Sequence, residues 1–204
     1  PLICHNIPSM KNLLIVCLCL AASCSALRGF TDAECGVIAS QQGHIMRLWT
    51  VADPGDSLFL RRKAVPLGRE ELQSAHFRML KEGMLATVCD TTDRGVGIAA
   101  PQVGVSRRLI AVQRFDKPGE PFCFYVNPEI VWYSQTRLPG SEGCLSIPGV
   151  SGSVLRSERI VVRYLDEESL RMAADTVEGF TAVIFQHEVD HLDGVLFIDR
   201  LLPR

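Results

Sequence analysis

The sequence has no surplus of charge of one sign. Its 21 lysines and arginines against 23 aspartates and glutamates leave a formal −2 over 204 residues, too weak a field to hold a nucleic-acid backbone as the molecule's main task. It has no internal repeat, no low-complexity tract and, beyond residue 46, no Pro/Gly/Ser linker long enough to divide it. With 47% hydrophobic residues, intrinsic disorder and a collagen-like fibre are excluded, and one core of ordinary globular size is expected. The most apolar run, Leu13 to Ala22, is about half the roughly 20 residues that a spanning helix needs.

Cysteine pairs are also lacking where a fold would use them. Five of the eight cysteines, Cys4, Cys17, Cys19, Cys24 and Cys35, fall in the first 35 residues, and only Cys89, Cys123 and Cys144 remain beyond. A closed set of internal disulfides leaves one of those three over, so thiol chemistry or burial is the better reading. Met10, Lys11, the apolar run 13–22 and the small residues Ser23, Ser25 and Ala26 have the shape of a short export signal or an organelle-targeting leader. Residues 1–45 are therefore expected to be a poorly ordered extension, and residues 46–204 one domain.

Within that domain the stretch Gly68 to Val88 reads as a helix, with Glu70 and Glu71 in a first turn that favours negative charge and Leu72, Ala75, Met79 and Leu80 at helical spacing. Four runs rich in β-branched and aromatic residues read as strands: Leu109–Gln113, Phe122–Val126, Ile130–Tyr133 and Ile160–Tyr164. Turn residues at Lys117-Pro118-Gly119, Asn127-Pro128 and Pro139-Gly140 separate them. A second helix is expected over Gly179–Leu192, with Gly194 after it where a left-handed cap costs little. The fold class is then α+β, a single domain of short, mostly antiparallel strands around a central metal-binding helix.

That second helix carries Gln186-His187-Glu188-Val189-Asp190-His191. Histidines four apart lie one turn along the same face and reach one cation, while Glu188 between them is placed to take a proton from water without being a ligand. A catalytic ion needs a third protein ligand and an open position. In one protease class a third histidine follows six residues after the second, but Phe197 stands there. In another a downstream glutamate serves, but the carboxylates that follow His191 here are Asp193 and Asp199. The reading turns upstream to Cys144, in Ser141-Glu142-Gly143-Cys144-Leu145-Ser146, where a thiolate suits iron(II) or zinc and Gly143 allows close backbone approach. A third string, Gly95-Val96-Gly97-Ile98-Ala99-Ala100-Pro101-Gln102, lacks the lysine and serine or threonine of a phosphate loop. Its small residues suit a backbone lying against a peptide, and Gln102 brings an amide donor for a carbonyl oxygen.

Together the three strings, Gly95-x-Gly97-x-Ala99-Ala100-x-Gln102, Glu142-Gly143-Cys144-Leu145-Ser146 and Gln186-His187-Glu188-x-Asp190-His191-Leu192, resemble the signature motifs of peptide deformylases, in the same order, within a likeness running from about Trp49 to Leu202. The resemblance implies hydrolysis of the formyl group from the N-terminal formylmethionine of new polypeptides, with formate released. It implies one divalent metal ion, iron(II) ahead of zinc, held by Cys144, His187 and His191, with Glu188 as the proton-transfer group and the Gln102 amide and Leu145 N–H as donors to the carbonyl oxygen. Val183 and Ile184, one turn before His187, wall a methionine pocket with Val96, and Gly97 and Gly143 offer backbone to the peptide. Glu142 and Arg156 are expected to pair and hold the Cys144 loop, and Asp190 to support the helix without binding metal.

The partners implied are N-formylmethionyl peptides, hence nascent chains at the ribosome exit region, with no nucleic acid needed for catalysis and no stable membrane span in the catalytic domain. The compartment stays open: formylated chains arise in bacterial cytoplasm and in organelles, whereas residues 10–26 resemble a secretory or targeting segment. Two other functions share parts of this pattern, a His-Glu-x-x-His metallopeptidase cutting internal bonds and a non-catalytic metal- or formyl-peptide-binding protein.

Overall fold

The structure is a computed structural model that describes residues 29–40, 44–90 and 94–203. Its elements run α1 (Asp32–Ala39), α2 (Pro54–Leu60), α3 (Arg69–Leu72), α4 (Ala75–Val88), β1 (Gly97–Ala99), β2 (Leu109–Gln113), β3 (Phe122–Tyr133), β4 (Arg137–Cys144), β5 (Ile147–Ser157), β6 (Arg159–Leu165), β7 (Met172–Glu178) and α5 (Gly179–Leu192), with short 3-10 turns at Ala100–Val103 and Phe197–Arg200. Five strands form an antiparallel sheet in the order β1-β2-β3-β6-β7, and β4 and β5 form a separate antiparallel pair. Among the described residues no helix is long and apolar enough to cross a membrane.

Strand β2 shows how the sheet organises the core. All five of its residues are buried, and because successive side chains point to opposite faces they serve two clusters. Leu109 and Ala111 pack with Phe77, Leu80, Met84 and Val88 of α4 and Ile38 of α1. Ile110 and Val112 pack with Ala182, Ile184, Phe185, Val189 and Leu192 of α5. Helix α5 is thereby seated on one face of the sheet, against β1 and β2. On its other side Gln186 ties it to the end of β5, donating to Ser157 O at 2.9 Å and accepting from Ser157 N–H at 3.0 Å.

The α+β, mostly antiparallel expectation holds, and so does the span of α5, with Gly194 left-handed after it at φ 73°. The helix expected over 68–88 is broken instead. Ser74 turns its hydroxyl onto the N–H of Phe77 at 3.1 Å and caps a new helix, the competition with helix continuation that serine side chains are known for. Asn127-Pro128 is not a turn. The two expected strands around it are one strand, β3, with register shifts between Val126 and Glu129 and between Ile130 and Trp132. Asn127 takes the left-handed conformation at φ 50° and exchanges two 2.8 Å bonds with the Leu67 backbone. Pro139-Gly140 likewise lies inside β4, paired with Leu155 and Val154.

The expected leader needs correction at its end. Residues 1–28, with the signal-like segment, lie outside the described residues, but 29–40 are built into the body of the fold. Thr31 and Glu34 form a reciprocal cap on α1, Ile38 is buried, and Glu34 accepts two bonds from the buried Arg107, at 2.9 and 2.8 Å. An arginine this deep needs its charge matched, and α1 supplies half of the match, Glu71 the rest at 3.1 Å.

Candidate metal centre and peptide cleft

The β4–β5 hairpin turns through Leu145 and Ser146, with Cys144 opposite Ile147 at the tip and an irregular register at Gly143/Cys144. Beneath the hairpin, Ile147 and Val154 pack on Leu196 and Phe197, with Cys144 at the edge of the cluster. That packing presents the thiol to α5. Cys144 Sγ stands 3.3 Å from His191 Nε2, and one ligand atom each from Cys144, His187 and His191 lies within 4.8 Å of the others. The four-residue spacing read as one helix face therefore meets the upstream cysteine in space. Asp190 stays out of the group: it accepts from Arg156 Nη1 at 2.6 Å and from Arg200 Nε and Nη2 at 2.6 and 2.7 Å.

Behind the ligands the charges are ordered. Arg156 grips Glu142 with two bonds, at 2.8 and 3.0 Å, as expected. Glu142 has a second task that the spacing did not reveal: its Oε2 lies 2.8 Å from His187 Nδ1, which fixes the ring and leaves Nε2 toward Cys144. Burial pushes the Glu142 carboxyl up, but His187 and Arg156 outweigh it and hold the group near pKa about 2. Phe197 stacks on the other side of the His187 ring, centroids 6.1 Å apart.

The three residues fit a divalent ion on the molecule's own terms. His191 Nε2 faces the thiol at 3.3 Å, and burial together with the neighbouring His187 pushes this imidazole well below its ordinary value, toward the neutral form that ligates. His187 moves the other way: burial lowers it, and its bonds to Cys144 and Glu142 raise it to about 10. The pocket thus favours positive charge beside the thiol. One thiolate with two imidazoles is a donor set suited to zinc or iron(II).

Glu188 faces the same cavity. It is 4% exposed, its Oε2 has no partner, and burial pushes its pKa up to about 7, where a carboxylate exchanges protons readily near neutral pH. Gly97 explains how β1 comes so close: a Cβ there would stand 2.5 Å from Glu188 Oε1 and 2.8 Å from Ile184 Cγ2. Gln102 is locked in orientation. Its Oε1 accepts from Ala99 N–H at 2.8 Å, so its amide nitrogen points at Cys144 Sγ (3.6 Å) and Ser146 Oγ (3.3 Å).

A cleft of about 450 Å³ opens in front of these groups. One wall is the segment leading into β1, the second is the hairpin tip and the third is α5. Every residue read as substrate-binding, Val96, Gly97, Gly143, Val183 and Ile184, lines it, as does Leu145. Sequence reasoning missed Arg94, Val150 and Phe180 on the same walls, because an exposed arginine or valine outside a signature string carries no local signal. Strand β1 is an edge of the sheet, so one side of its backbone is left for another extended chain to pair with.

Residues 45–204 match the family described as polypeptide deformylase. The chain belongs to that family. It is 45% identical over 141 residues to a peptide deformylase of Symbiobacterium thermophilum, covering 69% of this chain and 61% of that one. To peptide deformylase 2 of Xanthomonas campestris it is 42% identical over 144 residues, covering 71% and 82%. Among solved structures, the Met-Ala-Ser-bound class I type b peptide deformylase from Acinetobacter baumannii superposes with a TM-score of 0.67 at 37% identity, over 78% of this chain and 99% of that one. Peptide deformylases are metal-dependent enzymes that remove the formyl group from N-terminal methionine, and the Cys144-His187-His191 group is where this chain can hold a metal.

Proposed function

We propose that this chain hydrolyses the formyl group from N-formylmethionyl peptides, such as nascent chains leaving the ribosome, with Cys144 Sγ, His187 Nε2 and His191 Nε2 holding one divalent ion. The observation that carries the reading is that Cys144, His187, the buried Glu188 carboxyl and the oriented Gln102 amide line a single cleft, with His191 grouped with Cys144 and His187 behind it. The ion is iron(II) in this proposal, with zinc accepted by the same donors. When bound, such an ion acts as a Lewis acid that acidifies water and polarises a carbonyl.

The remaining chemistry belongs to the chain. Val96, Val183 and Ile184 receive the methionine side chain, while the backbone of Gly97 and Gly143 aligns the peptide. Glu188 takes a proton from the attacking water as its hydroxyl adds to the formyl carbon. The Gln102 side-chain N–H and the Leu145 backbone N–H donate to the oxygen on which negative charge grows, where one such donor is worth about 3 kcal/mol. Glu188 then returns the proton to the departing amine nitrogen, the C–N bond breaks, and formate and a free N-terminus leave.

The test is to incubate the metal-loaded protein with formyl-Met-Ala-Ser and with unformylated peptides, measuring formate and new amine. Equal yields of the two from the formylated peptide alone are expected. Cleavage of an internal bond without formate would instead establish a metallopeptidase, and tight formyl-peptide binding without turnover a binder.

A further inference from the structure

Besides the Cys144 thiol, four titratable groups line the cleft, and three of them belong to the centre: Glu142, His187 and Glu188. The fourth is Arg94, exposed at the rim, which makes no hydrogen bond or ion pair with any described residue. Its side chain is unclaimed, but its backbone is held. The next residue, Gly95, donates to Val88 O at 3.0 Å and sits so close that a Cβ there would lie 3.0 Å from Val88 Cγ2 and 3.1 Å from Leu145 Cδ1. The backbone from which the guanidinium extends is therefore held at a fixed place on the cleft wall.

Its distance along that wall sets what it meets. Gly97 abuts Glu188, and Arg94 is three residues before it, at most about 10 Å of chain. A peptide whose formyl group lies at Glu188 and Gln102 and whose backbone runs out along the β1 segment brings its second or third residue after the formyl group alongside Arg94. We propose that Arg94 is a specificity-determining residue that favours formylated peptides with an acidic side chain near their third position. This rests on the deformylase reading and refines its substrate class. An unpaired arginine at a partly solvated rim attracts a carboxylate by about threefold in binding, screened by salt, and repels a lysine. Since the contact is equal in the bound substrate and the transition state, it acts on KM more than kcat.

The experiment compares formyl-Met-Ala-Asp, formyl-Met-Ala-Asn and formyl-Met-Ala-Lys, all C-terminally amidated so that no other carboxylate competes, with metal-loaded wild type and Arg94→Lys, Arg94→Ala and Arg94→Glu. The expected kcat/KM order in wild type and Arg94→Lys is Asp above Asn above Lys, with about threefold steps that shrink at high salt. In Arg94→Ala the three values should converge to within about twofold, and in Arg94→Glu the order should invert. Formate released equally from all three peptides by wild type, or an order that persists in Arg94→Ala, overturns the role of Arg94 and leaves the deformylase reading standing. No formate from any of them overturns both.

Discussion

A single methyl group added at Gly97 tests the closeness of strand and helix. The backbone does not require glycine there, since the only glycines with positive φ among the described residues lie elsewhere. What requires it is space: the new Cβ would sit 2.5 Å from Glu188 Oε1, 2.9 Å from its Cδ and 2.8 Å from Ile184 Cγ2. Ordinary contact is roughly 3.5 Å or more between carbons, so either β1 or the Glu188 side chain must move by several tenths of an ångström to nearly 1 Å. Overpacking of a full core costs about 1–3 kcal/mol, and a misplacement of about 1 Å at a reacting group lowers the rate by roughly a hundredfold. Gly97→Ala should therefore lose about two orders of magnitude in kcat/KM on a formylmethionyl peptide and about 1–3 kcal/mol in denaturant unfolding. Its metal content should be unchanged, because no ligand touches the added atom. Activity within twofold of wild type would show that Glu188 does not act from this position.

Other outcomes follow from the same geometry. Glu188→Gln should bind metal as wild type does and lose about 10²–10⁴-fold in kcat, read by metal analysis and steady-state kinetics on one sample. Gln102→Ala removes a donor held by the Ala99 N–H and should cost about 10²–10³-fold in kcat; a change in KM alone would contradict the role. Arg107→Ala should destabilise by about 3–5 kcal/mol in denaturant unfolding, because it strands Glu34 and Glu71 in a buried site.

Glu34 carries a pH signature. Burial pushes its carboxyl up, but the Arg107 and Thr31 hydrogen bonds outweigh that and hold it below its ordinary 4.5. Its contribution is complete above that ordinary value and is lost as pH falls through the lowered one. Stability of wild type should fall more steeply than that of Glu34→Gln across this acid range; parallel curves would refute the linkage.

What the sequence made legible was local. A spacing of four on one helix face, a glycine at a helix end and β-branched runs such as Leu109–Gln113 are decided within a few residues, and α5 and β2 match their expected bounds. The chemistry at Cys144 was readable because a catalytic ion needs a third ligand, although the approach of Cys144 to α5 depends on a hairpin whose Gly, Ser and Pro content reads as loop. Partners far apart in the chain were not legible: the Glu142 bond to His187, the Gln186 clamp on Ser157, or the Glu34–Arg107 pair that turns part of an expected leader into a helix of the body. Each is a polar contact across 29 to 73 residues, and no periodicity records such a contact. Ser74 and Asn127 failed for another reason. Their short polar side chains bond the backbone and override the pattern around them.

The account rests on sulfur and nitrogen sharing one ion, and X-ray absorption at the metal edge of active protein reads that directly. One sulfur scatterer at about 2.3 Å and two imidazole nitrogens at about 2.0–2.1 Å are expected for zinc-loaded protein, with the sulfur gone in Cys144→Ser. A spectrum without sulfur in the wild type, from a sample that still releases formate, would contradict it.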